Sequence, residues 1–156
     1  MSLNPKEFKV YDTDFRERVI ADFKRQKVMS TIGASLLRVD AGEVEILLPF
    51  SESLTQQNGF LHAGIVTAIV DSACGYAAYS LMPKNASVLS IEFKINLCSP
   101  SIGEKFIAVG KVRKAGKTVT VTEGEVWAFQ SGEKKLTALM QGTMMTVFSL
   151  NEQKVQ

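Results

Sequence analysis

The sequence predicts an α+β fold: an antiparallel sheet curled around one long central helix, with an extra helix at the N-terminus. Three observations carry this. The stretch from Gly59 to Met82 is almost wholly apolar, two-residue alternation occurs on both sides of it, and the strands outnumber the helices without alternating with them. The last point excludes a doubly wound parallel sheet. At 156 residues the chain has the size of one domain. Residues 1–30 read as a helical extension and 31–150 as the domain proper.

Asp12, Thr13 and Asp14 offer caps for a first helix in which Phe15, Val19 and Phe23 recur every four residues. Its other face carries Arg16, Arg18, Lys24 and Arg25. From Ala34 the period shortens to two, and Val44, Ile46 and Leu48 follow a hairpin turn at Asp40-Ala41-Gly42. The Gly59–Met82 stretch is about long enough to cross a bilayer. It contains His62 and Asp71 and lacks flanking basic anchors, so it reads instead as a helix buried by its own domain. Beyond it, Leu89, Ile91, Phe93, Ile95 and Leu97 are expected on one strand face, with Ser90, Glu92, Lys94 and Asn96 on the other. Strands over about 104–114, through 118–122 and over about 135–148 follow, with turns at Ala115-Gly116 and Ser131-Gly132. A sheet of this kind leaves an edge, which a homodimer would cover by continuing it.

Composition narrows the function. Eighteen basic and 16 acidic residues give a net charge of only +2, which speaks against nucleic-acid binding. Cys74 and Cys98 are too few for a disulfide scaffold, and the N-terminus lacks a secretory signal, so reduced thiols and a cytoplasmic location are expected. The sequon at Asn85 then has no meaning. Metal catalysis needs several ligands on one ion, and with one histidine and two distant cysteines no metal site is expected. There is no Gly-x-Ser-x-Gly elbow. Gly110 to Gly116-Lys117-Thr118 imitates a phosphate loop, but five residues separate its glycines where four are required, and it joins two strands.

One carboxylate stands in the middle of the apolar helix. An ionised acid there costs several kcal/mol (roughly) unless it is paired or hydrogen-bonded, so Asp71 needs a reason. On a helical wheel its neighbours Gly64, Thr67, Ala68, Cys74, Gly75 and Ala78 are all small, while Ile65, Val66, Ile69 and Tyr76 lie opposite. Such a face admits either a substrate or the backbone of a partner helix, with Asp71 then satisfied structurally. Upstream, Gln56-Gln57-Asn58-Gly59-Phe60-Leu61-His62-Ala63-Gly64 precedes the helix. Free N–H groups in a first helical turn can hold an oxyanion, and His62 reads equally as a helix cap.

Gln56 through Ala78 resembles the signature of the PaaI-like hotdog-fold acyl-CoA thioesterases: an amide residue, Gly-x-x-His-(Gly/Ala)-Gly, then an acid nine residues after the histidine. The order of elements matches over about 30–148, and Ser99-Pro100 is also typical. The resemblance implies that Asp71 is the catalytic nucleophile or general base and that the Ala63 backbone N–H polarises the thioester carbonyl. It further implies that Gln56 orients substrate or water, that Ser90 reaches the site across a dimer interface, and that His62 shapes the loop and supports Asp71. Ala63 replaces the first glycine of the usual pair, which leaves the main-chain donor intact.

The same resemblance implies an acyl-CoA substrate, no cofactor, and a homodimer or dimer of dimers. Asn58, Gly64, Thr67 and Gly75 are then candidate substrate contacts. The basic turn of Lys111, Arg113, Lys114 and Lys117, with Lys94, becomes a candidate for the phosphates, although such charge runs are also ordinary solvated surface. Two other readings share the fold: an acyl-thioester hydratase or dehydratase, and an acyl-CoA-binding module without turnover.

Overall fold

The computed structural model describes residues 8–148, so the ends of the expected ranges, 1–7 and 149–150, lie outside the described residues. The elements are α1 (Phe15–Arg25), α2 (Lys27–Ile32), β1 (Ser35–Asp40), β2 (Glu43–Pro49), a single 3-10 turn (Glu52–Leu54), α3 (Ala63–Tyr79), β3 (Ala86–Leu97), β4 (Lys105–Lys114), β5 (Val119–Gln130) and β6 (Glu133–Phe148). All six strands form one antiparallel sheet in the order β1-β2-β4-β5-β6-β3, with α3 against its inner face. This is the hotdog arrangement that the sequence predicts.

α1 begins where expected. The Asp12 carboxylate accepts from the Asp14 N–H at 3.1 Å, and Val19 and Phe23 are buried. The short α2 has no counterpart in the sequence reading, because its six residues are too few to show a period. It follows a break at Gln26, whose φ of −76° and ψ of 90° are not helical. Val19, Phe23, Met29 and Ile32 from these two helices share one core with Val66, Ile69 and Val70 of α3 and with Val44, Ile46 and Leu48 of β2.

The helix lies very close to the sheet. A Cβ placed on Gly110 of β4 would overlap the backbone of Ala73 and Cys74, and one on Gly124 of β5 would meet the Cys74 Sγ at 2.8 Å. Small residues on both surfaces make that approach possible. Two of the six residues of the expected small-residue face of α3 are therefore used for packing: Cys74 and Ala78 are fully buried, whereas Gly64, Thr67, Ala68 and Gly75 are not. Burial pushes the Cys74 thiol up to about 12. Tyr76, expected to meet the sheet, instead packs against Phe23 of α1, with ring centroids 5.7 Å apart and planes tilted by 57°.

Strand β3 departs from simple alternation. Its pairing with β6 shifts between Ser90 and Glu92, so Ile91 is an extra, bulged residue. Before the bulge, Ser90 pairs with buried Met144 and Leu89 with exposed Met145. After it, Phe93, Ile95 and Leu97 pair with Gly142, Met140 and Ala138, all buried. Leu89 and Phe93 thus face opposite sides of the sheet, although the sequence places them on one. Leu89, Ile91, Phe93 and Leu97 are each about half exposed along this edge strand.

Candidate active site

Asp71 sits in the third turn of α3, half-buried, and Ser90 of β3 reaches up to it: the Ser90 Oγ donates to the Asp71 Oδ1 at 2.8 Å. Burial pushes the Asp71 carboxyl above its usual range, and the Ser90 hydrogen bond opposes that rise only in part. Both residues belong to the same chain. The hydroxyl therefore needs no second subunit to reach the acid, and Ser90 and Asp71 travel together on one chain.

The N-terminus of α3 holds the other predicted components. His62 occupies the N-cap position with φ −61° and ψ 136°, and its Nδ1 accepts from the Gly64 N–H at 2.8 Å. The N–H groups of Ile65 and Val66 go to the His62 carbonyl. The Ala63 N–H has no acceptor among the described residues, and Ala63 is exposed. A free, outward N–H at the positive end of a 17-residue helix is a suitable donor for a developing oxyanion.

Ala63 and Asp71 do not meet within one chain. Eight residues along a helix correspond to about 12 Å of rise, far more than the span of a thioester group. His62 is farther still from Asp71. Within its own chain His62 acts as a cap whose Nδ1 is taken up by the Gly64 N–H.

The loop before α3 is closed by its own groups. Gln56 accepts at Oε1 from the Asn58 N–H, and its backbone pairs with Phe60 and Gly59. Leu61 and His62 are anchored to Ser101 and Leu54. Thr67 donates its hydroxyl to the Ala63 carbonyl at 2.8 Å and so stays turned back along the helix. Gly75 lines the Asp71 cleft, with open space where a Cβ would be.

The candidate phosphate contacts divide. Lys111 lies 3.5 Å from Glu43 and Arg113 3.1 Å from Glu123, so each has an acidic partner. Lys114 and Lys117 make no ion pair with the described residues and border a groove of about 690 Å³ over Ala78, Leu81 and Met82, at the C-terminal end of α3. Lys94 belongs elsewhere. It lies on the outer face of the sheet, which the bulge makes the face opposite Ser90, in a groove with Glu123, Glu125 and Gln141, and its Nζ donates to Asn96. Carboxylates there would oppose a phosphate.

The cleft around Asp71, about 360 Å³, also contains residues that sequence reasoning did not single out: Asp22, Arg25 and Gln26 from the end of α1, facing Ser72 and Tyr76 of α3. Their i, i+3, i+4 spacing marks one helical face, but nothing in the sequence says what that face looks onto. Among the described residues no three His, Cys, Asp or Glu side chains gather as a metal ion would require.

The thioesterase superfamily matches residues 58–135, a segment that runs from the loop before α3 to the start of β6. A protein of Saccharolobus solfataricus that carries an esterase name is 30% identical over 115 residues, 74% of this chain and 79% of its own. A thioesterase family protein from Silicibacter pomeroyi has a solved structure that superposes with a TM-score of 0.85 at 45% identity, over 86% of this chain and 99% of its own. The Escherichia coli PaaI protein, at 18% identity, shares the fold with a TM-score of 0.78 over 88% of this chain and 96% of its own. With a free helix-terminal N–H and a half-buried acid on one apolar helix, this chain belongs to the thioesterase superfamily, whose chemistry is thioester hydrolysis.

Proposed function

We propose that the protein hydrolyses acyl-CoA thioesters in a homodimer whose two sites each combine the Ala63 N–H of one subunit with Asp71 of the other. The observation that carries this is the separation of about 12 Å between the two groups on one rigid helix, which leaves each without its partner inside a single chain. Two copies of α3 packed antiparallel would bring each Asp71 to the other's helix entrance. The half-exposed Ile91, Phe93 and Leu97 along the β3 edge support that pairing, since a second β3 would cover them.

In such a site the thioester carbonyl oxygen accepts from the Ala63 N–H, and the amide of Gln56 orients the substrate or the water beside it. Asp71 supplies the attack, either directly on the carbonyl carbon or by deprotonating a water. The tetrahedral intermediate collapses with loss of the C–S bond. On the water route the CoA thiolate takes the proton that Asp71 drew from the water; on the direct route a water then opens the acyl-aspartyl anhydride to the free acid, regenerates Asp71 and supplies that proton. Ser90 keeps Asp71 aimed and its anion populated, which a buried carboxylate needs if it is to act at neutral pH. Lys114 and Lys117 are the remaining cations of the basic turn that suit the CoA phosphates.

Subunit complementation tests the shared site. Asp71→Asn removes the carboxylate. Ala63→Pro removes the donor, and the first helical position tolerates proline because His62 is already extended. Each variant alone is expected to lose about a hundredfold or more in acyl-CoA turnover. Mixed and reassembled, the two should recover up to about a quarter of wild-type activity, because half of the sites in a heterodimer are intact. A mixture as inactive as its components would overturn the shared site, and wild-type protein that releases no thiol from any acyl-CoA would overturn the substrate class.

A further inference from the structure

The Asp71 cleft has a wall that the mechanism above does not use. The helical break at Gln26 turns the end of α1 over α3, so that Asp22, Arg25 and Gln26 stand above Ser72, Gly75 and Tyr76, about one turn beyond Asp71. The Tyr76 hydroxyl donates to Asp22 at 3.4 Å, and Arg25 lies 3.5 Å from the same carboxylate. The Gln26 Nε2 donates to the Ser72 Oγ at 3.1 Å, while its Oε1 is buried with no hydrogen-bond partner among the described residues. A buried acceptor left unpaired is costly, and beside a cleft a ligand can relieve it.

We propose that Gln26 and Asp22 are specificity-determining residues for the acyl group, and that the preferred substrates are thioesters of short acyl groups bearing a neutral hydroxyl. This rests on the thioesterase reading above. Three properties of the cleft point the same way. Its charges, two carboxylates against one guanidinium, leave a net negative that opposes an acyl carboxylate and the phosphates of CoA alike. Of its lining residues only Gly75 and Val88 lack a polar side-chain group, so an alkyl chain would strip water from the others and return nothing. At about 30 Å³ for each water-sized group, 360 Å³ holds roughly a dozen heavy atoms, which limits the acyl length. A hydroxyl can donate to the Gln26 Oε1 or to Asp22 and accept from Arg25.

The test compares kcat/KM for matched thioesters in which one methyl replaces one hydroxyl: 3-hydroxybutyryl-CoA against 3-methylbutyryl-CoA, and 6-hydroxyhexanoyl-CoA against heptanoyl-CoA. Wild-type protein is expected to favour the hydroxylated member of at least one pair by about tenfold, and Gln26→Leu to abolish that preference. A ratio does not depend on how much of the variant folds, and Asp22→Asn provides a second reading of the same wall. No preference in the wild type, or a preference that both variants retain, overturns the inference. An equal loss towards all four substrates would assign the wall to the CoA arm and overturn it too. Absence of turnover towards every thioester would instead remove the enzymatic reading on which it stands.

Discussion

Two carboxylates of the described residues, buried Asp12 and half-buried Asp71, are held in opposite ways. Asp12 is buried against Arg18, 2.7 Å away, and also accepts from the Asp14 N–H; burial pushes its carboxyl up, but those partners bring it below the usual range. Arg18 in turn donates to the carbonyls of Tyr79 and Met82 and stacks on the Tyr79 ring, so the pair fastens α1 to the C-terminal end of α3. Among the described residues Asp71 has a single hydroxyl partner and no ion pair, and burial raises its carboxyl. One acid has spent its lone pairs on the fold. The other keeps them available at the edge of a cleft, which is the condition a base or nucleophile requires.

Substitution should separate the two most sharply in activity. Asp71→Asn is expected to reduce turnover by about two orders of magnitude or more while leaving the circular dichroism spectrum unchanged. An Asp71→Asn enzyme with near wild-type turnover would place both acids in the same structural class. Single turnover in heavy-oxygen water sharpens the assignment further, because label entering Asp71 itself marks it as the nucleophile.

Stability should show the reverse order. Arg18→Met is expected to lower Tm by roughly 5–10 °C, since it strips a buried acid and two helix-terminal carbonyls of their donor. Asp12 favours its ionised form in the fold, so its contribution is present above the unfolded pKa and is lost as pH falls through the lower folded value. Asp71 favours its protonated form, so the folded state holds the extra proton between the two pKa values, and stability declines as pH rises through that window. At neutral pH, Asp71→Asn should therefore be slightly more stable than wild type and Asp12→Asn less. Denaturant titrations of both at pH 7 check this, and two shifts of the same sign would contradict it.

The smallest expected effect concerns Ser90. Its hydroxyl lowers Asp71 against the pull of burial, so Ser90→Ala should move the acidic limb of the kcat/KM profile to higher pH and cost about tenfold in rate near neutrality. An acidic limb that stays in place would mean that the hydroxyl only packs.

Much of this was legible in the sequence for identifiable reasons. The apolar run of α3, the Val44-Ile46-Leu48 row and the turns are local patterns, and local patterns survive folding. Asp71 stood out because charge in an apolar helix is expensive wherever the helix goes. The basic residues of α1 did not declare themselves: Arg18 reads as one more solvated cation until the carbonyls at the end of α3 appear beside it. Asp22, Arg25 and Gln26 were illegible for the same reason, since what a helix faces is decided by contacts more than forty residues away, such as that between Gln26 and Ser72. Ser90 and Leu89 were put on the wrong faces by one bulged residue, while Lys94 stays opposite Phe93 and Ile95.

That bulge also restricts how β3 can pair. Sliding the strand by one position along β6 to absorb Ile91 would rescue neither half: it would swing Ser90 out from beneath Asp71, or turn Phe93, Ile95 and Leu97 to the outer surface. Two penalties at opposite ends of one strand leave a single low-energy alignment. The position of the reactive acid is in this way tied to the correctness of the fold, so a mispaired chain would be an inactive one.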